Sequence, residues 1–358
     1  MAKGVRISLI GAGSGQFTLG VLRDLCLTEG LQGSTMSFMD INEERLDAVH
    51  NVASRYAAEF GADFTFEKTL DRRKSLEGAD FVINTAMVGG WGRRGAGREI
   101  AQKYGYTRAA GLGSFHQFQL FMDIIHDMEE LCPNAWYIQS ANPVFDGTTL
   151  ISRRSKIKAV GLCHGQNAVI KIARVIGVPE PEKVEYQCYG VNHFIWLTKF
   201  RYQGQDMYPV LDEWIEKKAE AYWASPECWF SEDLGPKAVD VYKRLGLFPI
   251  GDTVTPGGGS SLHYYHTDKA TEERWKEDPA AWFDRHIRNV TERAAEVIRV
   301  AGDPSVKVTE LWPPEPTHES IVPIMDAIAN DRPGMYQVNV ANKGCVPGIP
   351  DDVAVDIP

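Results

Sequence analysis

The chain has 358 residues, 44% hydrophobic and 24% charged, with a formal net charge of −10. That length accommodates two domains with a sizeable core, and the composition is that of a globular protein rather than a disordered or fibrous one. The acidic balance argues against a generic nucleic-acid binder, which needs a basic excess to displace phosphate counterions, and no apolar run approaches the ~20 residues of a membrane span.

The start, Met1-Ala2-Lys3-Gly4, enters a strand without an apolar secretory region, so a cytoplasmic protein is expected, with neither nucleic acid nor membrane as partner. Cys26, Cys132, Cys163, Cys188, Cys228 and Cys345 are scattered without framework spacing, which suits free thiols in a reducing compartment. Residues 7–10 form an apolar strand that runs into Gly11-Ala12-Gly13-Ser14-Gly15-Gln16, and a helix is predicted from about Phe17. Glycines in such a turn let the backbone approach a pyrophosphate, which sits at the positive end of the helix dipole. The usual G-x-G-x-x-G places its third glycine where Gln16 stands; here a glycine comes one position early, at Gly15. A second strand over 35–39 ends on Asp40, an acid suited to the two ribose hydroxyls of NAD and repulsive to a 2′-phosphate. The alternative is an ordinary strand–turn–helix whose glycines serve only tightness.

Leu46, Val49, Val52, Ala53 and Tyr56 predict a helix over 43–59, followed by strands at 63–66 and 79–86, the second apolar enough to be buried on both faces. Residues 89–98 hold five glycines and three arginines, which predicts a mobile anion-binding loop. A helix over 115–131 and a strand over 135–140 lead to Asn142-Pro143, where the proline holds Asn142 extended at a strand tip and its amide available to a ligand. A helix over 144–152 and a strand over 157–162 complete the alternation, which indicates an α/β fold with a Rossmann-like doubly wound parallel sheet. Residues 184–202 are rich in β-branched and aromatic side chains and read as hairpins or a meander, so the boundary is placed near 177–183. This divides the chain into a dinucleotide-binding domain, 1–180, and a second α+β domain, 181–358, with helices at 209–222 and 282–300 and a Gly/Pro-rich loop at 253–261.

Cys163 and His164 follow a predicted strand, and His193 lies in the β-rich stretch 30 positions beyond Cys163. A thiolate and an imidazole bind a divalent transition metal and leave positions open for substrate oxygens. The same atoms suit a cysteine nucleophile with a histidine base, or a buried thiol beside a core histidine.

Gly11-Ala12-Gly13-Ser14, Asp40, Val88-Gly89-Gly90 with Arg94, the run Asp127 through Pro133, and Asn142-Pro143 are matched in order further on by Gly161-Leu162-Cys163-His164-Gly165, Asn192-His193, Val338-Asn339-Val340 and Pro350-Asp351-Asp352. Together they resemble glycoside hydrolase family 4, the NAD-dependent glycosidases, across nearly the whole chain. The resemblance implies a layout similar to the lactate and malate dehydrogenases. It also implies NAD held by Gly11, Ala12, Gly13, Ser14, Gly15, Gln16, Asp40 and Asn142, and Mn²⁺ or a similar ion held by Cys163 and His193. His164 becomes the candidate general acid and Asp252 the candidate base, with His263, Tyr264, Tyr265 and His266 as alternatives. The Cys-His-Gly triplet resembles members acting on α-linked uronic acids, α-glucuronide or α-galacturonide. Substrate contacts are then expected from Arg94, Asn142, His164 and Asn192, with Arg93 or Arg98 as further candidates for a carboxylate clamp.

The implied reaction oxidises sugar C3, removes the C2 proton, eliminates the aglycone, adds water and returns the hydride. A small carbohydrate substrate and a homo-oligomer, dimer or tetramer, follow from the same resemblance. Three features depart from the pattern: Gly97-Arg98 replaces an acidic pair, the stretch before His116 is compact, and relatives commonly carry further helices after the counterpart of Asp352, so a shortened or unusual member is one expectation. The rival expectations are an NAD-dependent dehydrogenase of a hydroxy acid or sugar, and a non-catalytic NAD-binding module.

Overall fold

The computed structural model describes residues 4–104, 115–163, 165–225, 233–254, 265, 268–275 and 279–358, without the side chains of 94, 98, 101, 102 and 279–283. Two compact units interleave along the chain: Met1–Arg93 with Ser114–Leu162 and Arg285–Tyr336, and Arg94–Gly113 with Cys163–Asp284 and Gln337–Pro358. Neither unit is one half of the chain.

The first unit is built on six parallel strands: β1 (Arg6–Ile10), β2 (Ser34–Met39), β3 (Phe64–Thr69), β4 (Phe81–Asn84), β5 (Trp136–Gln139) and β6 (Lys158–Gly161). Their order is β3-β2-β1-β4-β5-β6. Strand order reverses between β1 and β4, and in such sheets a ligand lies in the crevice beyond the carboxyl ends at that switch. Buried strands read as apolar runs, as in Phe81-Val82-Ile83 of β4, whereas the edge strand β3 alternates with solvent-facing residues.

Helix α1 (Gln16–Leu27) follows the glycine-rich turn, and α2 (Glu43–Phe60) follows β2. The sequence delimits α2 at both ends. Asn42 caps it by accepting from Arg45 N at 3.0 Å, acids fill its first turn, and Gly61 closes it in the left-handed region at φ 82°. Its apolar stripe, Leu46, Val49, Val52, Ala53 and Tyr56, is the one the periodicity predicts, and it is buried.

Residues 285–336 were expected in the second domain but pack in the first unit. Side chains of α1 and α2 capture the backbone of this segment: the Arg55 guanidinium donates to Val300 O at 2.8 Å and also to Val306 O, and Glu59 accepts from Thr309 N at 2.9 Å. Asp24 does the same for Thr317 N at 2.8 Å.

The stretch 89–98 departs from expectation. Residues Gly90–Lys103 form a helix rather than a loop, despite the roughly 1 kcal/mol that each interior glycine costs relative to alanine. Trp91 in its first turn packs edge-on against His286 with ring centroids 4.9 Å apart.

The second unit is antiparallel. Strands β7 (Glu185–Val191), β8 (Phe194–Tyr202), β9 (Gln205–Asp206), β10 (Phe248–Ile250), β11 (Val338–Ala341) and β12 (Ala354–Ile357) pair in the order β10-β8-β7-β12-β11, with β9 on β8. Its core gathers Cys188, Leu197 and Phe200 from the hairpin with Leu211, Trp214, Val239 and Phe248. The predicted helix over 209–222 is two, Tyr208–Lys217 and Ala219–Trp223, broken where Lys218 leaves helical geometry at φ −126° and ψ −19°. Among the described residues, no helix is long and apolar enough to cross a membrane.

Candidate active site

Two constellations carry the chemistry, one in each unit. In the first, Gly11 takes φ 89° and a Cβ there would lie 2.6 Å from both Cα and N of Ala86, so only glycine lets the turn sit against the loop after β4. Gly13 serves a different purpose, since a Cβ there would lie 2.8 Å from Asp40 Oδ2 and displace that carboxylate. That carboxylate accepts from Gly13 N at 2.8 Å and, through its other oxygen, from Asn42 N at 2.9 Å, which fixes it at the end of β2. Gly15 sits at φ 61° as the residue before α1, close to Ala294 and Val297.

Among the described residues no side chain caps the N-terminus of α1, so its first backbone N–H groups stay available for an anion. Ala12 and Gly13 are buried, Gln16 is exposed, and the Ser14 hydroxyl is buried without a hydrogen-bond partner among the described residues. An orphaned hydroxyl beside an uncapped helix start and a fixed carboxylate fit a dinucleotide: pyrophosphate at the turn, ribose hydroxyls at Asp40. Asn142 is exposed just beyond β5, in the Asn142-Pro143 link that precedes the helix Val144–Arg154.

The second constellation forms where three loops of the second unit meet. Cys163 follows β6 after Leu162. Asn192 and His193 make the two-residue turn between β7 and β8, and Asp252 lies in the 3₁₀ turn Gly251–Thr253 after β10. His193 Nε2 is 3.5 Å from Cys163 Sγ and 3.5 Å from Asp252 Oδ2. The same ring nitrogen therefore faces both a thiol and a carboxylate. All three are partly buried.

His193 occupies the left-handed region at φ 62°, which is uncommon for a residue with a Cβ and persists only when the surroundings hold it. Thr253 supplies one such hold, its buried hydroxyl accepting from Ile195 N at 3.0 Å and donating to Ile250 O at 2.8 Å. A glycine pair fixes the neighbouring turn. At Gly251, φ 57°, a Cβ would lie 2.7 Å from Gly165 Cα, so the turn bearing Asp252 rests directly on the segment after Cys163. Neither Thr253 nor this glycine contact was foreseen from sequence, although Gly-Asp-Thr directly after a strand was the available signal.

The donor set fits a small divalent ion. Bonds of about 2.3 Å to sulfur and about 2.1 Å to nitrogen at a tetrahedral angle give an S···N edge of about 3.6 Å, close to the 3.5 Å observed. Among the described residues, no trio of His, Cys, Asp and Glu side chains closes around a common point, which leaves Asp252 a neighbour of His193. An open site of this kind suits catalysis rather than structure.

Other expected positions fare differently. The side chains of Arg94 and Arg98 lie outside the described residues, as do all of His164, His263, Tyr264 and His266. Arg93 pairs with His116. Tyr265, an expected alternative base, is instead a core residue, 1% exposed, whose hydroxyl is engaged in donating to Asp240 Oδ2 at 2.6 Å. Asn192, expected at the substrate, has its amide nitrogen buried on the side of Asp356.

The family model described as "Family 4 glycosyl hydrolase" matches residues 6–177, and that of the "Family 4 glycosyl hydrolase C-terminal domain" matches residues 188–358. The chain belongs to glycosyl hydrolase family 4. This family 4 chain is thus by descent a glycoside hydrolase, and the two cradles fit the family's NAD and divalent metal.

Among relatives, an α-galactosidase of Bacillus subtilis is 31% identical over 60% of the chain, a match that spans 51% of that protein's own length. An α-galacturonidase of Thermoanaerobacter italicus is 24% identical over 99% of this chain and 80% of its own. Two solved structures share the fold. A 6-phospho-α-glucosidase from gut microorganisms, in complex with NAD and Mn²⁺, has a TM-score of 0.75 at 18% identity, covering 99% of this chain and 81% of that one. The 6-phospho-β-glucosidase of Thermotoga maritima with manganese, NAD⁺ and glucose-6-phosphate has a TM-score of 0.73 at 20% identity, covering 99% and 80%.

Proposed function

We propose that the protein hydrolyses α-linked glycosides of uronic acids, α-glucuronides or α-galacturonides, by oxidation at C3 and elimination across C1 and C2. The observation that carries this reading is one ring nitrogen, His193 Nε2, which lies 3.5 Å from the Cys163 thiol and 3.5 Å from the Asp252 carboxylate. A divalent ligand pair and a base then lie side by side, as deprotonation next to an oxidised carbon requires. When bound, NAD⁺ supplies a hydride acceptor for C3 and the divalent ion a Lewis acid for the C2 and C3 oxygens.

The chain's own residues do the rest. Cys163 and His193 hold the ion. Gly11, Ala12, Gly13, Ser14, Gly15 and Gln16 seat the pyrophosphate, Asp40 holds ribose hydroxyls, and Asn142 addresses the cofactor or sugar from the end of β5. Asp252 removes the C2 proton, which a C3 ketone makes acidic, and His164 protonates the departing oxygen. Arg94 pairs with the uronate carboxylate, a role suited to a guanidinium fork. Support for the uronide comes from the Cys163-His164-Gly165 triplet and from α-galacturonidases among the relatives.

The deciding experiment incubates a panel of aryl glycosides, α-glucuronide and α-galacturonide included, in D₂O with Mn²⁺, NAD⁺ and a thiol reductant. Deuterium at C2 of the released sugar without net NADH is expected. Release without deuterium at C2 replaces elimination by direct displacement, and net NADH from a free sugar or hydroxy acid makes the protein a dehydrogenase. If neutral aryl α-glycosides are cleaved faster than the uronides, the substrate class is wrong.

A further inference from the structure

Behind the Asn192-His193 turn the second unit buries a carboxyl group that the proposed chemistry does not use. Asp356 on β12 is 3% exposed. It stands opposite Asn339 of β11 on one side and Gly190 of β7 on the other. Its flanking neighbours Val355 and Ile357 are apolar and buried, so an apolar residue at 356 would serve a core well, since burying a carboxylate carries a desolvation penalty.

The surroundings are arranged around that group instead. Asp356 Oδ1 accepts from Gln337 Nε2 at 2.8 Å and Oδ2 from Asn339 Nδ2 at 3.1 Å. The Gln337 amide also donates to Cys188 O at 2.9 Å, which ties the network to β7. Asn192 is the third amide. Its nitrogen is buried and makes no hydrogen bond of regular geometry, yet it approaches the Asp356 carboxyl closely enough to favour the charged form. Burial raises the Asp356 pKa above its ordinary value, while Gln337, Asn192, Asn339 and the nearby His193 act in the opposite direction.

The hairpin end cannot relax freely, because a Cβ at Gly190 would lie 2.2 Å from Phe194 O, so the two strands close tightly just below the turn. The left-handed His193 is thus held at φ 62° by Thr253 through Ile195 on one side. On the other side stands Asn192, facing Asp356.

We propose that Asp356 is a positioning residue for the metal site: through the Asn192 amide it fixes the Asn192-His193 turn and so aims the His193 imidazole at Cys163. Asn192 then serves the site from within the protein rather than by touching sugar. This rests on the reading above that Cys163 and His193 hold a divalent ion.

The test titrates Mn²⁺ into metal-free protein, following free ion by electron paramagnetic resonance, and records thermal unfolding of the same metal-free samples. Asp356→Asn and Asn192→Ala are each expected to weaken Mn²⁺ binding about 10- to 100-fold, as outer-shell partners do; metal-free unfolding stays close to wild type in Asn192→Ala, whereas Asp356→Asn also loses stability, because an amide cannot accept from both Gln337 and Asn339. The double variant is expected to lose no more than the weaker single variant, because both break one path. Wild-type affinity in Asn192→Ala overturns the proposal even if Asp356→Asn fails to fold, and so do losses that multiply in the double variant. His193→Ala separates the two readings. Wild-type Mn²⁺ affinity there defeats the metal assignment and this proposal with it, whereas loss there with both other variants unaffected defeats the positioning role alone.

Discussion

Replacing Gly13 with alanine is a stringent test of the dinucleotide cradle, because the structure says which group must move. Gly13 does not have a left-handed φ, so alanine is tolerated by the backbone itself. The added Cβ meets Asp40 Oδ2 at 2.8 Å and Cγ at 2.9 Å, and Arg45 Cβ at 3.0 Å. The carboxylate has to give way, and with it goes the 2.8 Å bond from Gly13 N. A hydrogen bond to a charged group contributes about 1.5–3 kcal/mol. If the displaced carboxylate loses a ribose contact of that size, NAD⁺ affinity falls about 10- to 100-fold, since each 1.4 kcal/mol is tenfold. Calorimetric titration of NAD⁺ measures this directly, and Mn²⁺ affinity measured alongside should not change. Gly61→Ala is the control: Gly61 has φ 82° and open space around it, so alanine there lowers stability by about 1–2 kcal/mol but leaves NAD⁺ binding alone. Wild-type NAD⁺ affinity in Gly13→Ala would refute the placement of the ribose at Asp40.

Three further outcomes are expected. Asp252→Asn should lower kcat about 10²- to 10⁴-fold, the range of a lost general base, abolish C2 deuterium exchange and leave Mn²⁺ affinity within about threefold; retained exchange removes Asp252 as the base. Thr253→Val leaves Ile195 N without its buried acceptor and should lower stability by about 1–3 kcal/mol, so an unchanged denaturation midpoint contradicts the Thr253 hold. Burial pushes the Asp127 carboxyl up, but hydrogen bonds from Arg72 and Arg73 outweigh it and hold the pKa below its ordinary value. A depressed folded pKa stabilises above the unfolded value of about 3.9 and the gain disappears as pH falls through the folded value. The stability gap between wild type and Asp127→Asn, measured by urea unfolding, should therefore be full at pH 6 and shrink below about pH 4; a gap that grows toward acid contradicts the sign.

Much of the first unit was legible because its signals are local. The strand before Gly11, the Asn42 cap, the stripe from Leu46 to Tyr56 and the acid at Asp40 each lie within one βαβ unit, where chain order and spatial order agree. Residues 89–98 misled for the same reason. Glycine weakens a helix by backbone entropy, and nothing local announces that Trp91 is placed against His286, nearly two hundred residues away in sequence. The return of residues 285–336 to the first unit was likewise illegible, since Arg55 and Glu59 look like ordinary charged positions on an exposed helix face until their backbone partners at 300, 306 and 309 are known.

The metal-like site divides along the same line. Cys163 at a strand end and His193 in a hairpin were found as residue types, and their 3.5 Å approach depends on loops that no spacing rule connects. What brings Asp252 there is the absence of two side chains: with a Cβ on Gly251 the contact with Gly165 would fall to 2.7 Å and the turn would have to lift away from the segment after Cys163. Read alone, Gly165 and Gly251 are two glycines in turns. Their meaning is mutual, and a mutual requirement between distant positions is the kind of information a single sequence does not display. The strain at His193 follows the same logic: a glycine would adopt φ 62° freely, so a histidine kept there by Thr253 on one side, with Asn192 and Asp356 on the other, points to an imidazole that the site needs more than the turn does.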